Sequence, residues 1–239
     1  MCAAVASTLG HNVARVRQYQ IACLLHDLGR AGLDRELFGK IWSWAKSHGI
    51  PTRPREWRAI HPDTPYGQET EAFLTRYRRE LEADGIGMTP WAEEQVEMRM
   101  GYARRLARRL RTIRSSLKKL NVRWEPWMQA VMLYYYYPEK LAKAKPWVKQ
   151  LAEVLVACEQ FEAYSNQRRG RDYYVRKKET IVDAFGYLDK LEQEGILSHQ
   201  VMRALKGLAA AGEFDGIIAE ARGHRLTSRE RTLLRQMEH

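Results

Sequence analysis

Apolar residues recur along this chain at helical spacing, and no stretch alternates apolar and polar positions as a half-buried strand does. From Cys2 to Leu28 the pattern predicts two helices, broken near Leu9-Gly10-His11-Asn12. Leu33 to His48 predicts a third, ended by Gly49 and Pro51. A short helical turn over Glu56–Ile60 leads to Gln68–Leu81, where Phe73, Leu74, Tyr77 and Leu81 share one face. Asp84-Gly85-Ile86-Gly87 then breaks the pattern.

A long helix is expected from Thr89-Pro90, with Thr89 as N-cap and Glu93, Glu94 and Glu97 near the positive end of its dipole. Further along, Ala103, Leu106, Leu110, Ile113, Leu117 and Leu120 form a heptad-like seam suited to a helical partner. Trp127–Tyr137, Trp147–Tyr164, Glu179–Glu194 and Ser198–Ala211 predict the remaining helices. The stretch from Gly223 is polar and is expected to be frayed. The expectation is an all-α fold. One helical domain spans 1–222, with a basic helical insertion over about 82–125 and a polar tail over 223–239.

Composition narrows the class. With 239 residues, 45% of them hydrophobic, the chain can bury a generous core, and its glycine and proline content is too low for a disordered or fibrous protein. Cys2, Cys23 and Cys158 are odd in number and spaced unlike a disulfide framework or a zinc site. Packed free thiols in a reducing compartment are expected. Neither a leader-like start nor an apolar run approaching 18 residues is present, so a cytoplasmic protein without a transmembrane segment is expected.

Charge is concentrated. The net charge is +11, and Arg104, Arg105, Arg108, Arg109, Arg111, Arg114, Lys118 and Lys119 lie between Gly101 and Leu120 with no acid among them. Without those eight the balance is an ordinary +3. Three roles compete for this segment. It can present a solvated outer face above a packed seam, or form a homodimer through the helix over 96–120. The third role, polyanion binding to nucleic acid or to acidic lipid headgroups, is the weakest of the three, because the cations are expected to spread around the helix instead of forming a stripe.

The chemistry centres on Leu24-Leu25-His26-Asp27-Leu28-Gly29-Arg30, an apolar helical run that delivers an adjacent imidazole and carboxylate and stops at glycine. Three further pieces follow in order. They are Ile50-Pro51 onward to Trp57-Arg58-Ala59-Ile60-His61-Pro62, the helix from Val131 to Pro138, and Ala152–Ala163 with Glu159. Together they resemble the HD superfamily of metal-dependent phosphohydrolases, and within it the HD-GYP phosphodiesterases of cyclic di-GMP signalling. The resemblance implies an HD-domain helical bundle in which His26, Asp27, His61 and Glu159 hold a divalent metal (Mn, Fe or Mg). Such a metal lowers the pKa of a bound water for attack at phosphorus. Asp27 and Arg30 would be the catalytic residues, Arg30 standing where the family places a phosphate-polarising lysine. Arg168 and Arg171 fall where the family carries arginines.

The departures from that pattern are as specific. The family's first ligand histidine would fall before Met1, and His11 in the inter-helix loop is a poor substitute. Tyr134-Tyr135-Tyr136-Tyr137 replaces the tandem histidines, and Glu159 replaces an aspartate. Gly67 lies too far from His61, and Pro138-Glu139-Lys140-Leu141 replaces the Gly-Tyr-Pro loop. The tyrosines are expected to pack and hydrogen-bond in the core, since consecutive helical residues point in different directions. Two functions are therefore expected to compete. One is hydrolysis of a cyclic dinucleotide such as cyclic di-GMP at an incomplete, weakly loaded metal site. The other is a catalytically inactive signalling or scaffold module that binds protein or nucleotide.

Overall fold

The computed structural model describes residues 1–165 and 181–236, and these are helical, with no strand among the described residues. The helices are α1 (Cys2–Thr8), α2 (Val13–Leu25), α3 (Arg35–Ser47), α4 (Pro54–Ile60), α5 (Glu69–Ala83), α6 (Pro90–Met100) and α7 (Tyr102–Lys119). They continue as α8 (Pro126–Leu133), α9 (Pro146–Ser165), α10 (Ile181–Gln193), α11 (His199–Ala210), α12 (Asp215–Arg222) and α13 (Ser228–Gln236). Short 3-10 turns cover Leu28–Arg30 and Pro138–Leu141. No helix among the described residues is long and apolar enough to cross a membrane. Arg168 and Arg171 lie outside the described residues.

Where the sequence draws one domain over 1–222, the chain divides into two compact units. The first comprises Met1–Leu24 with Glu125–His239, and the second is Leu25–Trp124. In the first unit α9 is the central helix, packed by α1, α8, α10 and α11. Its apolar face is continuous, with Leu151, Val154, Leu155, Cys158 and Phe161 all buried. Burial of this kind drives association at about 25 cal/mol per Å² of apolar surface. The tyrosine run behaves as expected of core residues. Tyr134 donates to the Ile196 carbonyl at 2.8 Å, and the Tyr135 and Tyr187 hydroxyls lie 2.7 Å apart. The helix expected over Trp127–Tyr137 is shorter, however, because α8 ends at Leu133.

The tail expected to fray contains a helix. The Thr227 hydroxyl accepts from the Glu230 amide at 3.2 Å, while the Glu230 carboxylate accepts from the Thr227 amide at 2.8 Å. This reciprocal capping box starts α13, and Leu226 and Leu234 are buried as α13 packs on α11.

In the second unit α6 packs on both α3 and α5, and α7 packs on α6 and on the 3-10 turn. An aromatic cluster of Trp42, Trp57 and Phe73 fills the space among α3, α4 and α5, with Phe73 5.3 Å from Trp42 and 6.0 Å from Trp57. The segment over 82–125 contributes to this unit's core as far as Leu110, with Val96, Met98, Met100, Leu106 and Leu110 buried. The single helix expected from Thr89 is two helices, because Gly101 interrupts it. A Cβ there would lie 2.7 Å from both the Glu97 Cγ and the Thr70 hydroxyl, so no side chain fits. Thr89 does cap α6, accepting from the Ala92 amide at 3.3 Å.

Candidate functional site

The His-Asp corner is a tight exit from α2. His26 and Asp27 form the turn, and Leu28–Arg30 follow as one 3-10 turn. Such an exit leaves carbonyl groups without intrahelical partners, and they need donors if buried. Helix α7 supplies them. The Tyr102 hydroxyl donates to the His26 carbonyl. Arg105 donates through Nε to the Gly29 carbonyl at 2.9 Å and through Nη2 to the Ala31 carbonyl at 2.8 Å. Its remaining nitrogen, Nη1, lies 3.0 Å from Glu94 and 3.6 Å from Glu97. Only 1% of the Arg105 side chain is exposed.

Gly29 is glycine for a steric reason. A Cβ at this position would lie 2.5 Å from the Tyr102 ring. The Leu-Gly-Arg turn and the basic helix are therefore shaped to each other. None of the three roles weighed for the basic helix describes this contact.

The side chains of the corner are held among themselves. His26 Nε2 lies 3.6 Å from Asp27 Oδ2, while Asp27 Oδ1 accepts from Arg30 at 2.9 Å. Arg30 also lies over the Tyr102 ring, 5.9 Å from its centroid. His61 caps the end of α4 and stacks on Trp57 at 4.3 Å. Both of its ring nitrogens face the Arg76 guanidinium, at 3.0 and 3.2 Å. Burial, and then the Arg76 charge, hold this imidazole below its ordinary pKa. A metal ligand must be a neutral imidazole with an open nitrogen, and here a cation faces both nitrogens of the ring. Glu159 is half-buried on α9 in the first unit, whereas His26, Asp27 and His61 belong to the second.

The residues present do not fit the implied metal. Among the described residues no three His, Cys, Asp or Glu side chains are arranged to hold an ion. The Asp27 carboxylate has an arginine on one oxygen and an imidazole beside the other, and the His61 nitrogens face a guanidinium. Arg30, the expected phosphate clamp, is committed to Asp27.

Two features escaped the sequence pattern. The first is Glu153, the buried carboxylate of α9. It accepts from the Ser198 amide at 3.1 Å and from its hydroxyl, so it anchors the start of α11. The second is the meeting of all three thiols. Cys2 on α1, Cys23 on α2 and Cys158 on α9 lie close enough for each thiol to shift the titration of the others. The Cys158 thiol, followed by that of Cys23, holds Cys2 well below the usual thiol range. The same contacts to Cys2, reinforced by burial, push Cys23 and Cys158 up. Reactivity follows thiolate character. Iodoacetamide is therefore expected to alkylate Cys2 first, as read by peptide mass spectrometry, and to leave Cys158 untouched until the protein unfolds. Faster labelling of Cys158 than of Cys2 in the native protein would contradict this assignment.

The basic segment is also divided by the fold. Arg104 pairs with Glu71 at 2.6 Å and Glu97 at 3.0 Å, and Arg108 pairs with Glu97 at 2.6 Å. The acids that neutralise the first half of α7 come from α5 and α6. Of its seam, Leu106 and Leu110 are buried within this chain, Ile113 and Leu117 are half-buried and Leu120 is exposed. The cations do not spread around the helix as expected. Arg104, Arg108, Arg111, Arg114, Lys118 and Lys119 are all exposed, and at 100° per residue they fall within a sector of about 140° opposite the apolar seam. Only Arg105 and Arg109 turn away from that face, and both approach the carbonyl of Ala31.

Comparison of the chain with protein-family models, with curated proteins and with solved structures finds no match.

Proposed function

We propose that this protein acts by binding, as a catalytically inactive helical module in which an HD-like corner has become a structural joint. The observation that carries this reading is the use made of the corner. Its backbone carbonyls are occupied by Tyr102 and Arg105, and its carboxylate by Arg30. A hydrolytic centre needs the reverse arrangement, with carboxylate and imidazole nitrogens turned toward one point where an ion and a phosphoryl oxygen can sit. Here the Asp27 carboxylate faces Arg30 and both ring nitrogens of His61 face Arg76, so guanidinium groups stand beside two of the expected ligands.

The test is direct. Full-length protein purified without chelator is expected to carry no stoichiometric Mn, Fe or Mg by elemental analysis. It is also expected to release no linear dinucleotide or GMP from cyclic di-GMP when Mn or Fe is added. An equivalent of bound metal that disappears in Asp27→Asn, together with turnover that disappears with it, would establish the phosphohydrolase reading instead.

A further inference from the structure

The distal half of α7 carries charge that the fold does not use. Arg111, Arg114, Lys118 and Lys119 are exposed and make no hydrogen bond or ion pair among the described residues. This contrasts with Arg104, Arg105 and Arg108 one and two turns earlier, each held by a glutamate. Four cations within about 12 Å of helix repel one another unless an anion lies beside them. Leaving them unpaired costs stability, and the segment contains no acid to relieve it.

We infer that this face of α7 is a docking surface for the phosphodiester backbone of a nucleic-acid duplex. The inference deepens the binding function proposed above and rests on it. Charge complementarity carries the argument. A duplex presents one negative charge per ~1.7 Å of axis, so about 12 Å of it offers about seven phosphates to these four cations. The face also carries Ser115, whose hydroxyl suits a phosphate oxygen. It carries no aromatic side chain for stacking on unpaired bases, and no Asn or Gln for reading adenine edges. The docking inferred is to the phosphodiester backbone, which carries no sequence information, so duplexes of different sequence are expected to bind alike.

An anionic membrane fits this surface less well. A helix lying on a bilayer buries its apolar face in the headgroup boundary, with its cations on the opposite, polar face. Here Leu106 and Leu110, the centre of the apolar face, are buried within the protein. Only Leu120, at the helix end, is exposed as a large apolar residue on this segment, at 73%.

The experiment is fluorescence anisotropy of the full-length protein with a labelled 20-base-pair DNA duplex of arbitrary sequence, titrated from 50 to 300 mM KCl. With about four phosphates neutralised, the slope of log K against log salt is expected near −3.6. Replacing Lys118 and Lys119 by alanine should reduce the slope by about two, as should replacing Arg111 and Arg114. A second duplex of unrelated sequence should bind equally well. Lys143→Ala with Lys145→Ala removes the same charge in the other unit and should leave the slope unchanged.

Equal losses in all three double variants would mean that net charge alone attracts DNA, and would overturn the assignment. So would absence of salt-dependent duplex binding, or binding to phosphatidylserine vesicles that depends on these four residues while duplex binding does not. All the substituted positions are exposed, and circular dichroism on each variant checks that it is folded. Failure here leaves the non-catalytic reading standing, whereas metal-dependent turnover would remove that reading without touching the slope.

Discussion

Replacing Arg105 by alanine is expected to destabilise the second unit by about 3–5 kcal/mol, the cost of removing one partner from a buried, hydrogen-bonded charge network. The side chain is almost fully buried and serves the Gly29 and Ala31 carbonyls, Glu94 and Glu97 together. Without it two carbonyls of the corner lose donors, and Glu97 keeps only Arg104 and Arg108. Arg105→Lys should recover little, since a single ammonium cannot reproduce a fork directed at several acceptors. Urea unfolding followed by circular dichroism measures the effect. Arg111→Ala on the same helix should change stability by less than about 0.5 kcal/mol. If the two substitutions cost the same, Arg105 is not the joint described here.

The second large effect is steric. Gly29→Ala places a methyl group 2.5 Å from the Tyr102 ring, inside any tolerable contact. Overpacking of this kind costs about 1–3 kcal/mol, and the upper part of that range is expected because Tyr102 is itself buried and tied to the His26 carbonyl. The same substitution in a Tyr102→Leu background should cost distinctly less, because the ring edge is gone. A double-mutant cycle reads this as a coupling of about 1 kcal/mol or more. Additive effects would show that Gly29 is required for a reason other than this contact. Neither substitution touches Arg111, Arg114, Lys118 or Lys119, so they separate the joint from the docking face.

Much of the helical pattern was legible in the sequence because its signals are local. Apolar spacing located α3, α5, α9, α10 and α11, and Gly10 and Gly195, both at positive φ, mark breaks where they were expected. The start of α13 was also written locally, in Thr227 and Glu230, but the polar composition around them concealed it. The division of the helix expected from Thr89 was less accessible. Nothing local distinguishes Gly101 from a tolerated helical glycine. What requires glycine there is that Glu97 and Thr70 occupy the space a side chain would take.

By itself, then, the sequence determined an all-helical chain, the boundaries of most helices and the concentration of charge over residues 104–119, since each depends on neighbours within a few turns. The roles of the chemically suggestive residues were decided only by tertiary structure. His26 and Asp27 invite a metal until Arg30, Tyr102 and Arg105 are brought to the same corner. His61 does the same until Arg76, fifteen residues away, meets its ring. The basic run is uniform until α5 and α6 bring glutamates to one half of it and leave the other exposed. The physical reason is common to all three. What a charged or ligating side chain does depends on which partner satisfies it, and here the partners come from other helices.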